Sequence, residues 1–101
     1  AIVTNDCLEP LQATERFVLE QNRPNPFNPS TVIRFTLAAE APTRLLVYDV
    51  HGRPVRTLLD ELLPQGSHSV TFTAGDLPSG VYFYRLETPR HSEVRTMLLA
   101  R

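Results

Sequence analysis

Between Ser79 and Glu87 the chain reads Ser-Gly-Val-Tyr-Phe-Tyr-Arg-Leu-Glu. From Val81 to Leu86 every residue is β-branched, aromatic or long, with neither Gly nor Pro among them. That composition suits a pleated, half-buried surface. Side chains alternate along a strand, so Tyr82, Tyr84 and Leu86 share one face and Val81, Phe83 and Arg85 the other. Arg85 marks the second face as the wetter one. Two large aromatics on one face need another sheet or a loop above them, which predicts a central strand. Leu77-Pro78-Ser79-Gly80 ahead of it reads as a turn, Pro setting φ and Gly admitting φ > 0.

The rest of the chain supplies partners for this strand. At 101 residues it is expected to be one domain with a single core. Nine prolines against four glycines favour short elements joined by rigid turns over long helices. A hydrophobic share of 42% argues against disorder throughout. A net charge of −1 gives no bulk attraction to nucleic acid or an anionic membrane. No apolar run approaches the roughly 18 residues of a membrane span, and no basic-then-apolar leader opens the chain at Ala1. A piece of a longer protein is therefore expected. Cys7 stands alone, so it makes neither an internal disulfide nor a thiolate metal framework.

Residues 1–16 lack a clean period and are read as a linker or the remnant of an upstream domain, with a short ordered piece at Ala1–Thr4. Phe17–Gln21 is a short strand with Phe17 and Leu19 inward. Asn22–Ser30 carries Pro24, Pro26 and Pro29. Prolines lack a ladder N–H and hold the preceding residue extended, while Asn25 and Asn28 suit Asx turns. The expectation is a stiff loop with Phe27 anchored in the core edge, read as a rigid crossover between two sheets in preference to a presented recognition loop. Thr31–Ala38 alternates, with Ile33, Phe35 and Leu37 inward. Ala39–Pro42 is a turn. Thr43–Val50 is apolar on both faces, which predicts a central position or one partly covered. Asp49–Arg53 reverses the chain, with Gly52 at positive φ. Pro54–Leu59 returns as a weaker strand, its start restricted to an edge by Pro54, and Asp60–Gly66 is a longer connection. Ser67–Thr73 is a strand with Val70 and Phe72 inward. Thr88–Ser92 turns into a closing strand, Glu93–Ala100. It pairs with the Ser79–Glu87 strand, Met97 and Leu99 extending the core and Arg95 and Arg101 outside.

About seven short strands at roughly 8–12-residue spacing, with turn signals between them, read as an all-β sandwich. Uneven strands and the long connection after Leu59 favour a sandwich over a barrel. The expected core is Ile33, Phe35, Leu37, Leu45, Val47, Val70, Phe72, Tyr82, Tyr84, Leu86 and Leu99. Without a Cys pair or core Trp, it is not an antibody-type domain.

Four motifs in order carry a family resemblance: Asn25-Pro-Phe-Asn-Pro-Ser-Thr31, Leu46-Val-Tyr-Asp-Val50 with Gly52-Arg53, Leu63-Pro-Gln-Gly-Ser-His68, and Leu77-Pro-Ser-Gly-Val-Tyr-Phe-Tyr-Arg-Leu86. Met97-Leu-Leu-Ala-Arg101 follows them. Over Phe17–Arg101 the chain resembles the C-terminal sorting domain of proteins exported by the type IX (Por) secretion system. These domains look like the immunoglobulin-like domain of the flagellar hook-capping protein. Pro54 departs from the family pattern, where an aliphatic or polar residue is usual. The resemblance implies an immunoglobulin-like β-sandwich closing a secreted multidomain bacterial protein. An upstream passenger would share the chain, and the outer-membrane translocon or surface-attachment machinery would read the domain. It would then be cleaved or would hold the protein on the cell surface. Candidate recognition residues are Asn25, Phe27, Asn28, Arg95 and Arg101, on a monomer without cofactor or metal.

The residues themselves nominate no catalytic centre. Nucleophilic catalysis needs a nucleophile beside a base and an orienting acid. In Ser67-His68-Ser69, neighbours on a strand point to opposite faces. Asp49-Val50-His51 offers two ligands where a metal needs more. Calcium at Asp60-Glu61 or Gly75-Asp76 falls short of the roughly six to eight oxygens required. The alternative reading is a carbohydrate-binding module of a secreted glycoside hydrolase. Its aromatic face would come from Tyr48, Phe83 and Tyr84, with no Trp available.

Overall fold

The computed structural model describes residues 17–101; the expected linker over 1–16, its ordered piece at Ala1–Thr4, and Cys7 lie outside the described residues. Seven strands follow in order: β1 (Val18–Leu19), β2 (Ser30–Leu37), β3 (Ala41–Tyr48), β4 (Pro54–Leu63), β5 (Gly66–Thr73), β6 (Gly80–Glu87) and β7 (Ser92–Leu99). They form two antiparallel sheets, β1-β2-β5 and β4-β3-β6-β7. This is an immunoglobulin-like β-sandwich. The order follows from the residues. β3 and β6, the runs with apolar or aromatic side chains on both faces, take the two central positions of the larger sheet. β4 opens on Pro54, which donates no ladder bond, and takes the edge.

Alternation delivers the core. Leu19, Ile33, Phe35, Leu37 and Phe72 come from the smaller sheet. They meet Leu45, Val47, Tyr82, Tyr84, Leu86, Met97 and Leu99 from the larger one. Phe27 and Ala74 enter this core from loops. Val70 is only partly buried, packed on the core margin. Each fully buried aliphatic or aromatic side chain contributes roughly 1.5–3 kcal/mol. The expected hairpin of β6 with β7 is present, in register from Gly80↔Leu99 to Glu87↔Ser92.

Several boundaries differ from the sequence reading. Asp60–Gly66 is not a long connection: β4 runs on to Leu63, and Pro64 and Gln65 alone lead into β5. The long-loop argument against a barrel therefore falls; two separate sheets make the sandwich. Local pattern hid the extension because β4 carries bulges against β3. Leu45 faces Leu59 and Leu46 faces Thr57, so Leu58 is an extra residue and the alternation breaks there. Leu58 and Leu59 both lean on the core as a result. A bulged edge strand beginning with Pro is a poor template for pairing with another chain. β3 starts at Ala41, taking in half of the expected turn, and ends at Tyr48. β1 is only Val18–Leu19, with Leu19 buried and Phe17 packed at the core margin. The Asn22–Ser30 loop joins neighbours of one sheet, β1 and β2, and so is not a crossover between sheets.

The β3–β4 turn is set by Asp49. Its Oδ1 accepts from the backbone N–H groups of His51 (2.8 Å) and Arg53 (3.0 Å), and Oδ2 from Arg53 Nε (3.1 Å). The Arg53 N–H contributes most to holding the Asp49 carboxyl below its ordinary range; desolvation works against it, and the His51 N–H and Arg53 charge add to the lowering. Gly52 has φ of 82°, a conformation that side chains with a Cβ rarely adopt. The Asp49 carboxylate is thereby committed to the turn, while the His51 side chain is exposed.

Candidate functional site

The Asn22–Ser30 loop stays paired to its own sheet at Arg23, which bridges Val32 of β2, and further on joins β7 of the other. Phe27 N–H donates to Leu98 O (3.0 Å), and Ala100 N–H donates to Phe27 O (3.0 Å). Asn25 Oδ1 accepts from Leu98 N–H (2.9 Å). Phe27 and Leu99 thus form a parallel bridge. The Phe27 ring is 2% exposed, its centroid 5.9 Å from that of Phe72. The peptide bonds before Pro24, Pro26 and Pro29 are cis. Between the prolines, alternate residues are thrown in opposite directions: Phe27 inward, its neighbours Pro26 and Asn28 into solvent.

A buried polar knot holds the root of the loop. Tyr84, wholly buried in β6, donates its hydroxyl proton to Glu20 O (2.7 Å) and accepts from Asn22 N–H (2.8 Å). Asn22 is 1% exposed; its Nδ2 donates to Pro24 O (3.1 Å) and Thr31 Oγ1 (3.0 Å). Thr31 Oγ1 donates in turn to Pro24 O (2.9 Å). Gln21 Nε2 bridges Asn22 Oδ1 and Thr96 O, each at 2.7 Å. Buried polar groups are tolerated when each has a partner; here those partners tie β1, β2, β6 and β7 together. Sequence reasoning did not nominate Gln21, Asn22 or Tyr84 for this role, because the ties span up to 75 residues.

Burial, the largest influence, raises the Tyr84 hydroxyl from 10.0 to about 12, partly countered by the Asn22 N–H. The folded state thus holds this proton more tightly than the unfolded one. The contribution is intact below the unfolded value and is lost as pH rises through the folded one. The domain is expected to lose up to roughly 2–3 kcal/mol between about pH 10 and 12. Urea midpoints across that range test it, with Tyr84→Phe as the control. That variant should cost roughly 1–3 kcal/mol near neutrality, by stranding Asn22 N–H and Glu20 C=O. It should also show a smaller alkaline loss than the parent; equal losses would remove Tyr84 as the cause.

The five candidate recognition residues do not all sit as expected. Asn25 and Phe27 are joined to β7 as described, and Asn28 is exposed beside them. Arg95 is not simply outside. It shares the inner parity of Met97 and Leu99, and its Nε donates to Leu19 O across to the other sheet (2.6 Å). Its Nη2 lies 3.8 Å from Glu93 Oε2. The inward position is tolerated because β1 and β7 form the open margin of the sandwich, where the guanidinium reaches both a carbonyl and solvent. Arg101 is exposed but pinned to the loop before β6: its N–H donates to Ser79 Oγ (3.2 Å), Nε to Leu77 O (2.8 Å) and Nη2 to Gly75 O. Asn25, Phe27, Asn28 and Arg101 gather at one end of the sandwich; Arg95 stands apart on its margin.

The other polar candidates are scattered. His68 stacks on Phe35 and its ring Nε2 lies 2.8 Å from Pro64 O, while Ser67 and Ser69 are exposed on the alternate face. His91 stacks on Phe17 at 4.8 Å. Asp60 is exposed on β4, and Asp76 pairs with Arg56 at 3.3 Å. Of the three aromatics proposed for a sugar face, Tyr84 is in the core. Tyr48 and Phe83 are cross-strand partners on the outer face of the larger sheet, both half-buried.

The motif loop and the last strand are thus fastened together at one end of a two-sheet immunoglobulin-like sandwich. The family model described as the secretion system C-terminal sorting domain matches residues 23–100, and the chain belongs to that family. No curated protein matches the chain. Among solved structures, it is similar to PorZ, an essential bacterial surface component of the type IX secretion system of Porphyromonas gingivalis. The TM-score is 0.54 with 18% identity, over 89% of this chain and 12% of that one. This chain therefore spans only a small part of PorZ. It also matches the Ig1 domain of mouse SynCAM 2, with a TM-score of 0.43 and 10% identity, over 85% of this chain and 94% of that one.

Proposed function

We propose that residues 17–101 form a non-catalytic export and attachment module of a secreted multidomain protein. Residues 1–16 would lead from an upstream passenger. The outer-membrane translocon or the surface-attachment machinery reads the end of the sandwich where the proline loop meets β7, and the product is secreted or held on the outer cell surface. The module acts as a monomer.

The observation that carries this reading is the union of two motif stretches far apart in the chain, Asn25–Pro29 and Leu98–Arg101. Together they present Pro26, Asn28, Leu98 and Arg101 on a preorganised surface, which lowers the ordering cost of recognition. The scattered Ser, His and acidic side chains support a non-catalytic role.

Fused behind a passenger carrying a Sec signal, in a type IX-competent host, the domain is expected to carry the passenger outside the cell. The Asn28→Ala, Arg101→Ala double variant changes only exposed side chains and should melt within roughly 1 kcal/mol of the parent. Its passenger should accumulate in the periplasm; unimpaired export would refute the recognition surface. A polysaccharide pull-down addresses the carbohydrate alternative. Binding that disappears in Phe83→Ala or Tyr48→Ala would replace the export reading with a sugar-binding one.

A further inference from the structure

The segment from Phe17 to Phe27 runs beside β7 in the same direction for the strand's whole length. Phe17 stacks on His91. Leu19 O accepts from Arg95, Gln21 donates to Thr96 O, Asn25 accepts from Leu98 N–H, and Phe27 exchanges backbone bonds with Leu98 and Ala100. This seam is held at intervals by side chains and closed at its far end by backbone.

Its two ends lie at opposite ends of the sandwich. Phe17 sits at the β6–β7 turn, beside His91. Arg101 is pinned to Gly75–Ser79, the loop that leads into the start of β6. The eight residues of β6 separate those two places. Tension between the upstream chain and the Arg101 end therefore runs along the strands, parallel to the seam. The cross-links then share the load and break together. Tension between Phe17 and the β6–β7 turn would instead open the seam from one end, one bond at a time.

We infer that the parallel seam between Phe17–Phe27 and β7 is a mechanical clamp that resists tension transmitted from the upstream chain. The inference goes beyond export: it concerns what the folded domain withstands once something pulls on what precedes it. Glu20 and Asn22 serve the same device from behind, because Tyr84 fastens this stretch to the central strand β6. On its other side the same stretch is paired to β2, at Val18 and Leu19 and again at Glu20 and Arg23, so the seam joins β7 to a segment that is itself fixed in the smaller sheet.

Single-molecule force spectroscopy on the full chain tests this, in a Cys7→Ser background. One tether joins the N-terminus to a tag following Arg101; the other joins the N-terminus to a thiol introduced by Arg90→Cys, at an exposed turn position. At equal pulling speed, the first geometry is expected to need roughly twice the unfolding force of the second, forced unfolding being governed by the unfolding barrier. Gln21→Ala with Asn25→Ala removes two cross-links made by exposed side chains. It should lower the force in the first geometry and leave the second nearly unchanged. Gln21→Ala alone serves if the pair fails to fold. Equal forces in the two geometries overturn the inference, and so does an unchanged force in the folded variant pulled lengthwise.

Discussion

Deleting Thr96–Arg101 is expected to unfold the domain. The deletion removes Met97 and Leu99, each 1% exposed, and the partners of Gly80, Val81, Tyr82 and Phe83 along β6. It also strands Phe27 N–H and C=O, which pair with Leu98 and Ala100. Two buried side chains at roughly 1.5–3 kcal/mol each, with the orphaned polar groups at about 1–3 kcal/mol apiece, match the whole stability of an ordinary small domain, roughly 5–15 kcal/mol. Urea denaturation should show no cooperative transition, and size exclusion should show association through the bared edge of β6. Arg101→Ala keeps the ladder and the core, and should melt close to the parent. A truncated domain melting like the intact one would mean that β7 is not needed to close the sandwich.

Phe27→Ala is expected to cost roughly 3–5 kcal/mol, the range for a buried Phe cut to Ala. The ring is enclosed with Phe72 and the core residues around it, while its backbone pairs with β7 whatever side chain it carries. Phe27→Leu restores most of the volume and should recover the greater part of the loss, under about 1.5 kcal/mol remaining. Denaturant midpoints of the two variants measure this. Export of a fused passenger should follow stability through the series. A variant that keeps the parental midpoint but fails to export would make Phe27 itself a recognised group, and the anchoring role would fall.

Much of the fold was legible because a strand's pattern is local. The alternation of Tyr82, Tyr84 and Leu86 put β6 in the centre, and apolar residues on both sides of Leu45–Tyr48 did the same for β3. Pro54 marked an edge, and Gly52 a turn at positive φ. Where the local signal broke, the reading broke with it. The extra residue at Leu58 interrupts alternation, so the local pattern ends β4 at Leu59 while the strand continues to Leu63. Charge alone places Arg95 outside, although its parity with Met97 and Leu99 points inward. Charge outweighs parity only where no carbonyl or solvent lies within reach, and at the β1–β7 margin both do.

The chain's residue order determined the number of strands, most of the core and the motif loop, since side-chain alternation and the φ limits of Pro and Gly act over a few residues. What decided the candidate site was tertiary: Asn25 meeting Leu98, Tyr84 meeting Glu20 and Asn22, Arg95 meeting Leu19. These are hydrogen bonds between groups 62 to 76 positions apart. Each residue type has many partners it could satisfy equally well. Only the stacking of two twisted sheets, which brings the margin of one against the last strand of the other, selects which partner it finds.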